Sequence, residues 1–253
     1  MFSKAIISLF LLLLLLPFTN KAQDINGLLK EAQQLEASFK DEEALKKYLD
    51  IVKLQPNNLN ALCKVSELYS LAGKLQAVSA KEKEYYRNAK VYAQKALQVN
   101  SNSSEANVMM SIAMGRMALI ASGREKINAV KDIKAYAERS IQLDANNFKA
   151  YHVLGKWHYE VSELNAAAKW LVKVTYGALP KASLDEALRY YEKSRQLKPG
   201  FVLNYLEMAK VYHSKDDDKK AITTLETMLK LSNTTSNDET AKKEGRELIK
   251  DWK

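Results

Sequence analysis

The sequence predicts an all-α solenoid of about five helix–turn–helix repeats, with elongated helices and a C-terminal capping helix. Three observations carry that expectation. Packing residues recur in helical pairs, as in Tyr205, Met208, Ala209 and Tyr212 followed by Ala221, Leu225 and Met228. Turn-formers are scarce, with four prolines and eight glycines among 253 residues, of which 47% are hydrophobic. The straight-chain residues that dominate instead lose little rotamer freedom in a helix. Strict two-residue alternation is absent, so no sheet is expected.

The repeats stop at Pro56, Ser101, Ala145, Pro199 and Asn233, at intervals of 45, 44, 54 and 34 residues. The last interval is the period of the tetratricopeptide repeat (TPR), whose helix pairs reserve these positions for small and large packing residues. The chain therefore resembles a TPR-like helical solenoid. That resemblance implies a continuous core between stacked helices and a concave surface for partners. The first two intervals each add about three helical turns, at 3.6 residues per turn. They predict longer antiparallel helices, with turns pushed outward near Gly73 and Gly123.

At the amino terminus, Lys4 precedes an apolar run, Ala5 to Phe18, interrupted only by Ser8. A spanning helix takes about 20 apolar residues, so residues 1–22 read as a signal peptide cut after Ala22. Cleavage removes Lys4 and Lys21 and lowers the net charge of +9 by two. Export to the periplasm is the expectation, with a membrane anchor as the alternative if the segment stays uncleaved. The mature domain then spans 23–253.

Repeat one, 25–58, sets Leu28, Ala32 and Leu35 against the stripe Ala44, Tyr48, Ile51. Repeat two, 59–103, sets Leu62, Val65 and Tyr69 against Ala89, Ala93 and Ala96. It holds the single cysteine, Cys63, read as a small buried side chain. Repeat three, 104–147, carries Met109, Met110, Met114 and Met117, expected in a core helix between neighbours. Repeat four, 148–201, begins with Tyr151, Leu154, Gly155 and His158, with Gly155 admitting a close helix approach. Its insertion, 161–183, predicts a short extra helix with Trp170 and Leu171 packed on the array, then a loop. Ser183 and Glu186 form a capping box for the following helix, which runs through Ala187, Tyr191 and Leu197. Repeat five covers 202–235, and a capping helix is expected over 239–252.

One stretch is more distinctive than a generic repeat. Leu154-Gly155-x-Trp157, the Leu179-Pro-Lys-Ala-Ser183 loop, Glu186-Ala187-Leu188-x-Tyr190 and Leu197-Lys-Pro-Gly-Phe201 resemble the domain of the regulator of microtubule dynamics family. The likeness covers about two-thirds of the chain and is strongest over 148–212. It implies a helical-repeat adaptor with no catalytic residues to carry over. The amino terminus departs from it by looking like a bacterial export signal, so the implied fold is retained and the ligand is not.

Chemical motifs are sparse. The histidines are His152, His158 and His213, and none shares a helix face with another at the spacing a metal pair needs. His158 takes a core aromatic position and is expected buried and hydrogen-bonded. Nucleophile elbows and phosphate-cradling glycine loops are absent, so no catalytic residue, metal or cofactor is expected. The positive charge is interspersed, which argues against nucleic acid. Candidate partner-binding residues are the first-helix positions flanking the core: Lys149, His152, Lys156, Tyr159, Leu206, Lys210 and His213. Asn26, Gln33, Glu67 and Ser70 are their counterparts in repeats one and two. The C-terminal half of the groove is thus expected to be cationic and aromatic, suited to a protein or peptide bearing acidic groups or a free carboxylate. The expected role is a non-catalytic protein-interaction adaptor. The alternatives are a self-assembling homo-oligomeric component of an envelope complex, and an envelope enzyme with 161–183 as its lid.

Overall fold

The computed structural model describes residues 18–76, 79–176 and 181–253. Among these there are twelve helices and no strand. They are α1 (Phe18–Ala37), α2 (Asp41–Leu54), α3 (Leu59–Lys74), α4 (Ser79–Val99), α5 (Ser104–Ile120) and α6 (Gly123–Leu143), followed by α7 (Phe148–Ser162), α8 (Ala166–Tyr176), α9 (Leu184–Leu197), α10 (Val202–Ser214), α11 (Asp218–Leu229) and α12 (Asp238–Asp251). Neighbours pack as hairpins, α1 with α2, α3 with α4, α5 with α6, α7 with α9 and α10 with α11, and α12 covers α10 and α11. The extra residues of the long intervals lengthen helices: α4 and α6 each have 21 residues. Residues 1–17 of the expected leader and 177–180 of the expected loop lie outside the described residues. No described helix is long and apolar enough to cross a membrane.

Short polar residues set the helix starts. Asn58, Ser103 and Asn147 accept hydrogen bonds from the amides of Ala61, Ala106 and Ala150, at 3.0, 3.1 and 3.3 Å, and so open α3, α5 and α7. Each satisfies a donor that the first turn would otherwise leave unpaired. Ser183 does the same for α9 through the Glu186 amide, at 3.2 Å. The Glu186 side chain bonds Arg189, so one half of the expected capping box forms.

The core follows the predicted stripes. Ala44, Tyr48, Ile51, Leu62, Val65, Ala89, Ala93 and Ala96 are all buried, as are Cys63, Met109, Met110 and Met114. Polar groups on these faces bond to backbone carbonyls across the helix contacts: Ser66 Oγ to Ala89, Ser111 Oγ to Ile133, and Asn204 Nδ2 to Tyr191. Such pairing removes the cost of burying them. Twice a glycine makes room for a tyrosine ring. A Cβ at Gly73 would stand 2.7 Å from Tyr86, and one at Gly155 would stand 2.7 Å from Tyr191.

The insertion differs from expectation. α8 forms, but no other helix lies along it, and Trp170 is 64% exposed. The side chain of Leu171 lies outside what the structure describes. An apolar stripe says that one face of a helix is apolar, not that this face turns toward its own chain.

The two glycine environments give a paired test. Gly155→Ala is expected to lower stability by about 1–3 kcal/mol, because the methyl meets a buried ring between packed helices. Gly115→Ala, with nothing within 4 Å of the added Cβ, should raise it by about 0.5–1 kcal/mol through helix propensity alone. Urea unfolding of the two variants beside the parent checks both signs.

Candidate inner-face binding site

The first helices of the hairpins, α1, α3, α5, α7 and α10, bring charged side chains to one face, where they pair from helix to helix. Lys64 on α3 bonds Glu36 of α1 at 2.7 Å and Glu67 of its own helix at 3.2 Å. Lys149 on α7 bonds Glu105 of α5 at 2.9 Å and reaches past it to Glu67 of α3 at 2.6 Å. Further along, Lys156 pairs with Glu207 of α10 at 2.7 Å and with Glu160 at 2.9 Å. Lys210 joins Glu207 at 3.4 Å to Glu244 of α12 at 2.7 Å.

The expected binding residues therefore divide. Lys149, His152, Lys156 and Lys210 do reach this face, but each lysine already holds carboxylates, so they do not form a free cationic lining. His152 lies against the rings of Tyr191 and Phe201, with Nδ1 3.1 Å from Asn204 Oδ1. Leu206 is 1% exposed and belongs to the core; the adjacent Glu207 is the α10 residue that meets the lysines. Tyr159 contacts Ser214 at 3.5 Å. His213 stacks on Trp252, ring centres 4.2 Å apart, and bonds Asp218, so it sits at the exposed end of α10. His158 is buried as expected, stacked on Tyr190, but its Nδ1 has no hydrogen-bond partner among the described residues.

Two cations on this face went unrecognised in the sequence. Arg116 of α5 lies over the Tyr86 ring at 5.7 Å, and its Nε is enclosed without a hydrogen-bond partner. Lys74, at the end of α3, is solvent-accessible, yet burial and the neighbouring Arg116 charge push its amine down, with Glu207 and Glu244 opposing. Among the described residues, neither has a carboxylate within ion-pair distance. Burial likewise lowers the Arg116 guanidinium, with Tyr86, Glu207 and Glu82 offsetting it in part. No group of His, Cys, Asp and Glu able to hold a metal ion occurs among the described residues. Beside the insertion, a cavity is lined by Val161, Ser162, Lys169, Lys181 and Ser183, among others, with no His, Asp, Glu or Cys among the described residues of its wall.

The family described as Regulator of microtubule dynamics protein 1-3 matches residues 28–253. The chain belongs to that family. It is 24% identical to regulator of microtubule dynamics protein 3 of Bos taurus over 233 residues, which is 89% of this chain and 49% of that protein. It is 29% identical to protein 1 of Bos taurus over 140 residues, 54% of this chain and 44% of that protein. The chain thus spans about half the length of these curated relatives. Among solved structures it is similar to a thermophilic TPR protein of Thermus thermophilus, with a TM-score of 0.65 and 12% identity over 88% of this chain and 98% of that one. The fold is a TPR-like solenoid.

In this regulator of microtubule dynamics family member the inner face is also the acid-sensitive part. Burial would raise the Glu67 carboxyl, but Lys149 and Lys64 outweigh it and hold the group at about 2. Burial pushes His152 down to about 4, opposed only in part by Asn204 and Glu207. Both folded values lie below the unfolded ones of 6.5 for histidine and 4.5 for glutamate. The unfolded chain therefore binds more protons, and stability falls as pH drops. His152 accounts for loss between pH 6.5 and about 4, and Glu67 for loss from pH 4.5 to about 2. His152→Gln should flatten the upper part of this decline and leave the lower part. Urea midpoints measured from neutral pH to pH 3 check it.

Proposed function

We propose that the chain is a non-catalytic protein-interaction adaptor that docks an acidic protein segment on its inner face. The segment's carboxylate sits on Arg116, with Lys74 beside it. The observation that carries this reading is the state of Arg116: Lys149, Lys156 and Lys210 are ion-paired, while this half-buried guanidinium has an enclosed, unused Nε and, among the described residues, no carboxylate within ion-pair distance. The Tyr86 ring is a weaker partner than a carboxylate, and an incoming anion would offset the remaining cost of desolvating this cation. Arginine also presents a planar fork that suits a carboxylate better than an ammonium does. On this reading Lys149, Lys156 and Lys210 hold the helices in register and do not touch the partner directly. The TPR-like fold and family membership support an adaptor role, and the apolar amino-terminal run supports a place of work outside the cytoplasm.

The test is a fluorescence-anisotropy screen of acidic peptides, with and without a free carboxy terminus, against parent, Arg116→Gln and Lys149→Gln. The loss of a charge-assisted hydrogen bond, about 1.5–3 kcal/mol, corresponds to a roughly 10- to 100-fold weaker Kd in Arg116→Gln. Lys149→Gln should instead lower the unfolding midpoint and leave the affinity of the folded protein near that of the parent. Peptide binding that ignores Arg116→Gln removes the proposed contact.

A further inference from the structure

The inserted helix α8 has its apolar stripe on the outside. Ala166, Trp170 and Val174 follow one another at four-residue spacing, so they share a face. All three are exposed, Trp170 by 64% and Val174 by 62%. Soluble helices turn such a stripe toward a core. Here no other described helix runs along α8, and among the described residues its side-chain hydrogen bonds are at its start: the Ala168 amide to Asn165 at 2.9 Å, and Lys169 Nζ to the Ser162 carbonyl at 3.0 Å. An isolated helix of 11 residues is marginal in water, so this one gains from a surface to lie on.

The local charge indicates which surface. Lys173 lies exposed beside the stripe, Lys169 lies on the same side with its Nζ on the Ser162 carbonyl, and Lys181 follows, while α8 contains no Asp or Glu. The nearest acidic residue before it in sequence, Glu163, accepts a hydrogen bond from Ser214 of α10. α8 leaves the end of α7, on the edge where the hairpin turns lie, and Leu119, at the end of α5 on that edge, is 66% exposed. A tryptophan amid small apolar residues, with an exposed lysine beside it and no carboxylate in the helix, suits the boundary between headgroups and acyl chains of an anionic bilayer.

We propose that α8 is an interfacial anchor that lays Trp170 and Val174 on an anionic membrane surface, with the exposed Lys173 meeting the headgroups. Eleven residues cannot span a bilayer, so the helix lies in the plane of the surface. The proposal does not depend on the inner-face reading: it uses a different element and a different ligand.

The full chain carries its apolar leader, so vesicle binding alone is not the readout; the position of the Trp170 ring is. Trp157 is 3% exposed and Trp252 is stacked on His213, which leaves Trp170 as the exposed indole. The chain would be mixed with vesicles of phosphatidylglycerol and phosphatidylcholine, or of phosphatidylcholine alone, each with brominated acyl chains. A blue shift and bromine quenching should appear with the anionic vesicles, and both should be missing in Trp170→Phe. Lys173→Glu should weaken the lipid dependence of this signal at least about fivefold, the effect of one lysine near an anionic surface. Emission unchanged by anionic vesicles overturns the proposal, as does quenching that persists in Trp170→Phe or is equal in neutral vesicles. A blue shift that grows with protein concentration in the absence of lipid would assign the stripe to a second copy and overturn it equally.

Discussion

Pairing of desolvated charge on the inner face is the constraint on which the rest of this structure rests. Glu67 is held by lysines of two helices, Lys64 of α3 and Lys149 of α7, and Lys149 reaches it past α5. In a simple solenoid each repeat touches only its neighbours, and stability is close to a sum of local terms. The Lys149–Glu67 pair breaks that pattern by fixing the distance between hairpins that are not adjacent. Removing one member of such a pair strands the other in a poorly solvated place, at a cost of about 3–5 kcal/mol when burial is deep. The seating of His152 against Tyr191 and Phe201 and the pairing of Glu207 with Lys156 belong to the same face.

Against so consistent a background, two departures stand out. Among the described residues, Arg116 is a half-buried cation with no carboxylate in ion-pair reach, and Trp170 is a large apolar ring outside without a cover. Natural sequences agree with their folds at most positions and depart from local rules at sites that serve something else. The two departures lie on different elements and call for different chemistry, an anion for one and an apolar boundary for the other. An adaptor that holds a protein on its inner face while its edge rests on a surface would use both.

Much of the fold was legible because its signals are local. The stripe Ala44, Tyr48, Ile51, the starts after Pro56, Ser101 and Ala145, and the need for a glycine at 155 all depend on residues a few positions apart. The inner face was only half legible. Periodicity within α7 places Lys149, His152 and Lys156 on the correct side, but what stands opposite comes from distant sequence: Glu67 is 82 residues from Lys149, and Glu207 is 51 from Lys156. In α10, Leu206 in place of Glu207 is an error of one position, which rotates a side chain by about 100° around the helix. The orientation of α8 was out of reach, since a helix with one apolar stripe reads the same whether that stripe meets its own chain or another surface.

The connection between α11 and α12 touches the beginning of the molecule. Ser236 donates a hydrogen bond to Asp41, and Asn237 Nδ2 reaches the Leu71 carbonyl at 3.4 Å. Asp41 and Ser236 are separated by 195 positions. Helical arrays ordinarily have low contact order and can grow outward from any nucleus. This one has a long-range closure, so the first hairpin leaves the ribosome long before the segment that completes its environment. The pairs of Lys64 and Lys149 with Glu36, Glu67 and Glu105 lie within α1 to α7 and need nothing from the end of the chain, whereas Lys210 gains Glu244, and Asp41 gains Ser236, only when α12 and the connection before it arrive.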